Sequence, residues 1–336
     1  MIKNMKKVMT AILLITISMI LSACTQPGGS TGDGTKPKVA LLLSGYIADG
    51  GFSQSAYEGF VKAEKDLDFE GAFTESILLP DMESVMNNYA TTGYDVIIAV
   101  GFAFSETLLK VAPNHPDVRF VTVNGSAAQE PNLAFYRTIT AESGFLAGAF
   151  SAMVSESGKI GMVNGKPQPP VIEGEKGYIA GAKYINPNID VQVIYTDSFT
   201  DVPKANEAAL SLIENGVDVM TCNVGTGSLG VIDAAKKNDK LVTGFIGDQY
   251  KMAPGTVPFS AIQDIGQATY LGIESALSDE FKAERVLVGS KEGVIRPSDF
   301  HEIGNKPVSD EIKNKIEEIY QDLVDGKFNN LMPEIK

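Results

Sequence analysis

Several places along the chain set small, polar and aromatic residues directly after a short apolar run, where backbone amides and side chains can meet a solute. After Lys38–Leu43 comes Ser44-Gly45-Tyr46-Ile47-Ala48-Asp49-Gly50-Gly51-Phe52-Ser53-Gln54, leading into a helical pattern. Glycines permit close backbone approach, a helix N-terminus presents unpaired amides, and Phe52 offers a flat face, with Asp49, Ser53 and Gln54 as polar neighbours. The stretch reads equally as a turn whose aromatic caps the core. It matches neither GxGxxG nor GxxxxGK[ST], so its case as a phosphate loop is weak. Further on, Asn124 follows Phe120 to Val123, Asn223, Gly225 and Thr226 follow Val217 to Cys222, and Asp248 follows Val242 to Ile246. Any one such Asn or Asp is also explained as a helix cap or turn former. Their recurrence in both halves favours one shared binding site. Phe102, after the third run, and Phe199, in Asp197-Ser198-Phe199-Thr200-Asp201, are candidate walls of that site; Phe199 fits a core or surface role as well.

Catalysis finds little support. The two histidines are His115, in the turn Pro113-Asn114-His115-Pro116, and His301. A Ser-His-Asp or Cys-His site needs one of them at a strand's carboxyl end. There is no HExxH or CxxC and no clustered Asp pair, so neither a metal nor another cofactor is expected. Cys222 ends an apolar run and reads as a buried, inert thiol.

The elements that must position these residues follow from periodicity. Val39 to Leu43 is apolar without alternation, as in a strand covered on both faces. Similar runs begin near Glu75, Asp95, Arg119, Lys159, Asp190, Val217 and Leu241. Between them Ser55 to Leu67, Ala141 to Val154, Lys204 to Asn215 and Ser228 to Lys237 carry apolar residues at i, i+3 and i+4. That order predicts parallel sheets with crossover helices. The strand starts form two series of four, the second beginning at Lys159, hence two doubly wound α/β lobes rather than one wide sheet. Open sheets bind ligands at the carboxyl ends of their strands, so two facing lobes would hold a solute between them and close about a hinge.

The chain begins as an export signal. Lys3, Lys6 and Lys7 precede the apolar run Val8 to Ile20, which is short for a membrane span. Leu21-Ser22-Ala23-Cys24 resembles the lipobox of bacterial lipoproteins, in which the cysteine becomes a diacylglyceryl-bearing N-terminus; the alternative is an ordinary secretory signal. Two acyl chains would make a stable anchor. Residues 1–24 are therefore read as signal and 25–36 as a flexible tether. Cys222 is the other cysteine, so no internal disulfide is expected once Cys24 carries lipid. The formal charge of −14 counts the three lysines of the signal; without them it is −17, which excludes most nucleic-acid partners. A monomer is expected.

Gly51-Phe52-Ser53-Gln54-Ser55-Ala56-Tyr57-Glu58-Gly59, the run Gly93 to Phe102 and Gly247-Asp248-Gln249 resemble the basic membrane protein family. These are PnrA-like lipoproteins that serve as solute-binding components of ABC transporters for purine nucleosides. The likeness continues through Phe145-Leu146-Ala147-Gly148, Lys159-Ile160-Gly161 and Pro169-Pro170-Val171-Ile172. It implies a type I periplasmic-binding-protein fold, two doubly wound lobes joined by three crossovers. Lobe 1 would take 37–138 and 264–290, and lobe 2 with the C-terminal segment 139–263 and 291–336. It also implies an ABC permease as partner and the extracytoplasmic face of the cell membrane as location. By the same resemblance Phe52 stacks on the base and Asp248 accepts hydrogen bonds from ribose hydroxyls, a sensible use of a carboxylate in a desolvated cleft. Two departures bear on the ligand. Ser53 stands where the family often has Asn, and Gln263 stands where it has a lysine that helps hold the sugar. A free purine base is therefore an alternative solute, with Gln263 reading an amide or ring nitrogen. Arg137, near the first crossing, is expected to pair with a carboxylate. A ligand sensor signalling to a membrane receptor is the rival to transport.

Overall fold

Val39 to Leu43 are all fully buried, so Lys38–Leu43 (β1) is covered on both faces, as its unbroken apolar run requires. The computed structural model describes residues 36–331 apart from Gly50 and Ala127; the signal, Cys24 and the tether up to residue 35 lie outside the described residues. With Glu70–Thr74 (β2), Val96–Val100 (β3), Arg119–Val123 (β4), Leu133–Thr138 (β5) and, late in the chain, Arg285–Val288 (β11), β1 forms a 6-stranded, wholly parallel sheet in the order β11-β5-β4-β3-β1-β2.

The second sheet joins Lys159–Asn164 (β6), Asp190–Tyr195 (β7), Val219–Asn223 (β8), Leu241–Ile246 (β9), Phe259–Gln263 (β10) and Ile295–Pro297 (β12). Its order is β12-β10-β9-β8-β6-β7, parallel throughout except for β12 against β10. Glu302–Ile303 (β13) and Lys306–Pro307 (β14) make a small antiparallel ribbon beyond it. Phe52–Leu67 (α1), Met82–Thr91 (α2), Ser105–Val111 (α3) and Ile265–Leu277 (α8) cover the first sheet. Thr140–Val154 (α4), Pro169–Ile185 (α5), Val202–Glu214 (α6), Ser228–Lys237 (α7) and Asp310–Val324 (α9) cover the second. Among the described residues no helix is long and apolar enough to cross a membrane.

The chain passes between the sheets three times: from β5 into α4, from β10 into α8, and from β11 to β12. The two expected series of four strands are thus each extended by two, because β5 and β10 precede crossings and β11 and β12 are short strands returned by them. The second strand is also displaced from its expected start at Glu75. Asp68 ends α1 in the left-handed conformation, and the chain enters β2 directly at Glu70. The apolar run after Glu75 is loop, with Ser76 at positive φ, Pro80 in a short 3₁₀ turn, and Leu78 and Leu79 65% and 68% exposed. Only Ile77 of that run is buried.

α4 differs from its amphipathic reading. Thr140 to Ser151 are buried without a gap, because the helix lies between the second sheet, α5 and α9. Close approach to α5 depends on glycine: a Cβ on Gly144 would lie 2.1 Å from the Gly174 carbonyl, and one on Gly148 2.0 Å from that of Tyr178.

Buried polar contacts tie the crossings together. Gln263 Nε2 donates to Thr138 Oγ1, and Thr138 donates from its amide and hydroxyl to Asn124 Oδ1 at 2.8 and 2.9 Å. The Ser290 amide, in the third crossing, donates to Glu142 Oε2 at 2.6 Å. Arg137, at the end of β5, pairs with Glu173 of α5, as expected of it, and both side chains are buried. Burial raises the pKa of the Glu142 and Glu173 carboxyls and lowers that of the Arg137 guanidinium.

Candidate functional site

The loop after β1 is organised by Asp49. Its carboxylate accepts the amides of Gly51 and Ser53 at 2.8 and 2.9 Å and of Gln54 at 3.1 Å, so it caps the start of α1. Asp49 is therefore committed to the helix, and what the loop offers a solute is Phe52 and Gln54. Phe52 is half-buried beside Gly101, whose φ of +118° permits the turn that leads to half-buried Phe102. Ser53 is buried; a Cβ on Gly45 would come within 2.5 Å of its hydroxyl.

Asn124 closes the end of β4 with a φ of +56°, and Gln263 ends β10. Both are buried and linked through Thr138, which leaves Asn124 Nδ2 and Gln263 Oε1 as their remaining polar groups. In the second sheet Phe199, Asn223, Gly225 and Thr226 come together at the ends of β6 and β8. A Cβ on Gly165 would lie 2.4 Å from the Phe199 ring, the Thr226 hydroxyl donates to the Phe199 carbonyl at 3.3 Å, and the Asn223 carbonyl accepts the Gly165 amide at 2.9 Å.

A cavity of about 670 Å³ lies between the start of α1, the carboxyl ends of β9 and β10, and the residues of and after β12. Gln54 and Glu58 of α1 line it from the first lobe, Asp248 and Phe300 from the second, and Asp264 and Arg296 at the second and third crossings. Of the residues singled out from sequence, it takes Gln54 and Asp248. Phe52 and Ser53 flank its lining residues Gly51 and Gln54 in the chain, while Phe102, Asn124, Phe199, Asn223, Gly225 and Thr226 sit at other strand ends. Arg296 pairs with Asp264 at 3.3 Å.

Asp248 is the half-exposed carboxylate of this wall. Its Oδ1 accepts the Tyr250 amide at 3.1 Å and the Ser260 hydroxyl at 3.4 Å, while Oδ2 lies 3.7 Å from His301 Nε2. Sequence reasoning missed Glu58, Arg296, Phe300 and His301. The last three follow the third crossing, where no βα periodicity signals a strand end; Glu58 stood inside a run already marked, and its i,i+4 contact with Gln54 at 2.9 Å was the available signal. Cys222 is buried, and desolvation pushes its thiol up to about 12, which makes it inert. Among the described residues no group of His, Cys, Asp and Glu could hold a metal ion.

Two parallel α/β lobes, three connections between them and a cavity between strand ends define the class: a type I periplasmic-binding-protein fold. The fold is similar to that of an ABC transporter solute-binding protein from Aeropyrum pernix K1, with a TM-score of 0.75, 24% identity and coverage of 87% of this chain and 92% of that one. Residues 36–325 match the family described as ABC transporter substrate-binding protein PnrA-like, and the chain belongs to that family. It is 30% identical over 294 residues to basic membrane protein A1 of Borrelia garinii subsp. bavariensis, covering 84% of this chain and 86% of the relative. It is 28% identical over 313 residues to a purine-binding protein of Brucella abortus, covering 92% and 87%.

Proposed function

We propose that this chain is a lipid-anchored, extracytoplasmic capture protein that delivers a purine nucleoside to an ABC permease and binds its solute without turning it over. The observation that carries the reading is Asp248, a half-exposed carboxylate in a cavity built by both lobes, with one oxygen not engaged by a hydrogen bond among the described residues. Such a group suits a vicinal diol, whose two hydroxyls both donate. Phe52 and Phe199, half-buried at strand ends of opposite sheets, supply flat faces for a ring. The relative named for purine binding supports the choice of solute. The lobes are taken as 37–138 with 264–290 and 139–263 with 291–336, hinged at the three crossings, and Cys24 is the lipidated residue.

A thermal-shift panel on the form beginning at residue 25 tests this. A ligand bound only by the folded state adds RT ln(1 + [L]/Kd), roughly 2.7 kcal/mol at a hundredfold excess over Kd. Purine nucleosides should raise the melting temperature, while sugars and amino acids leave it unchanged. A shift with a sugar or amino acid and none with any purine would end the purine reading. Chromatographic recovery of unchanged nucleoside after prolonged incubation tests the absence of turnover.

A further inference from the structure

His301 is brought to Asp248 by two separate pieces of structure. Ile246 leaves β9 with a φ of +74° and sends the chain through Gly247 to Asp248 and a 3₁₀ turn, Tyr250–Met252. His301 is held by its backbone, its amide donating to the Pro258 carbonyl at 2.8 Å and its carbonyl accepting the Val308 amide at 3.1 Å. Its ring stacks on Tyr250 at a centroid distance of 3.7 Å and an angle of 11°, and the Tyr250 hydroxyl donates to Glu302 Oε1 at 2.9 Å. The imidazole is thereby held by its backbone and by one stacked face. Its Nε2 is shielded from solvent, has no hydrogen-bond partner among the described residues, and points to Asp248 Oδ2 at 3.7 Å. That oxygen is the one left over after Oδ1 has taken the Tyr250 amide and the Ser260 hydroxyl.

We propose that His301 is a positioning residue that governs whether Asp248 is available to a diol, so that capture of the solute weakens as the pH falls through the range in which histidine titrates. The proposal rests on the reading that Asp248 accepts hydrogen bonds from ligand hydroxyls. A neutral imidazole that makes no hydrogen bond across 3.7 Å, as here, leaves Oδ2 to the ligand. An imidazolium closes the 3.7 Å gap to a charge-assisted hydrogen bond and draws the carboxylate oxygen out of the cavity. The groups around the ring are Asp248 beyond β9, Tyr250 in the turn beneath it, Glu302 at the far end of the Tyr250 hydroxyl, and Asp299 two residues before it. The cavity's cation, Arg296, is engaged by Asp264. Histidine as a residue type ordinarily titrates near neutrality, at about 6.5. Because the ligand binds the neutral form, binding releases a proton below that range, and affinity falls by up to about tenfold per pH unit there.

The test is calorimetry on the full chain in detergent with adenosine and adenine, which do not titrate between about pH 5.5 and 8 and of which only adenosine carries the diol. Adenosine affinity should be flat near pH 8 and fall toward pH 5.5, with proton release detected near pH 6 by comparing buffers of different ionisation heat. Adenine affinity should not change with pH. His301→Gln and His301→Phe, the latter keeping the stack on Tyr250, should each hold their own pH 8 affinity for adenosine down to about pH 5.5, losing both the pH dependence and the proton release. A flat wild-type profile for adenosine, a fall that persists in both variants, or an equal fall for adenine would overturn the proposal. Asp248→Asn separates this failure from that of the underlying reading. If that variant binds adenosine at pH 8 as well as the wild type does, the diol assignment itself is wrong and the proposal goes with it; if it binds poorly while the wild-type profile is flat, only the role of His301 is refuted.

Discussion

At the scale of single residues, a nucleoside would divide its two halves between Phe52 and Asp248. The base needs a flat apolar face and the sugar a double acceptor, so the two side chains can be removed independently. Phe52→Ala should weaken nucleoside and free base alike, by roughly 1 to 3 kcal/mol, the range for base–aromatic stacking. Asp248→Ala should weaken nucleoside binding several-fold or more and spare the free base. Titrations of both variants with adenosine, inosine, guanosine and their bases check this, and a base affinity that falls with Asp248→Ala would assign that carboxylate to the ring instead. Carboxylates that look alike in sequence diverge here. Asp49 gives its oxygens to three amides at the start of α1, whereas Asp248, which lines the cavity, keeps one oxygen without a hydrogen bond among the described residues.

At the scale of elements, the three crossings join the lobes, and their packing is polar and buried. Glu142, at the start of α4, reaches the Ser290 amide of the third crossing through space left by Gly289, where a Cβ would lie 2.5 Å from its Oε2. Burial raises its carboxyl pKa above the ordinary value, so the folded state favours the protonated form. A raised folded pKa contributes stability that is fully present below the unfolded value and lost as pH rises through the folded one. Glu142→Gln keeps an acceptor for Ser290 and carries no charge. Its melting temperature relative to the wild type should therefore rise as pH goes from about 4.5 to about 7.5. Scanning calorimetry across that interval checks it; a difference that does not change with pH would mean that Glu142 titrates as an exposed carboxyl does.

At the scale of the whole molecule, β1 is the first strand among the described residues, and the proposed anchor, Cys24, precedes it in sequence. Cys24→Ala should move the protein from the membrane fraction to the soluble one without changing solute affinity. Fractionation, with intact mass to detect the acyl groups, decides it. Unchanged partitioning together with no lipid mass on the wild type would remove the anchor from the proposal. The transport reading and its sensing rival require the same molecule and differ in the membrane partner that it meets. Solute uptake that requires a neighbouring permease would favour the first.

Local pattern carried much of this architecture. The unbroken apolar runs at Val39–Leu43 and Val96–Val100 specify strands buried on both faces, because a solvent-facing position would demand a polar residue. Helical periodicity likewise located α1, α6 and α7 to within three residues. The same pattern failed after Glu75, where exposed Leu78 and Leu79 mimic a strand, and along α4, where burial on every side hides the face. Within the site, residue type and position after a buried strand marked Phe52 and Asp248 as candidates, although the same features also suit a turn or a cap, the use to which Asp49 is put. Which polar atoms remain free was decided by tertiary structure alone. Asn124 and Gln263 are joined through Thr138 only because two crossings lie side by side, and His301 meets Asp248 only because the return from β12 packs its ring on Tyr250. A hydrogen bond consumes a lone pair or a proton whatever the sequence separation of its partners, and no local pattern records a partner that arrives from another strand.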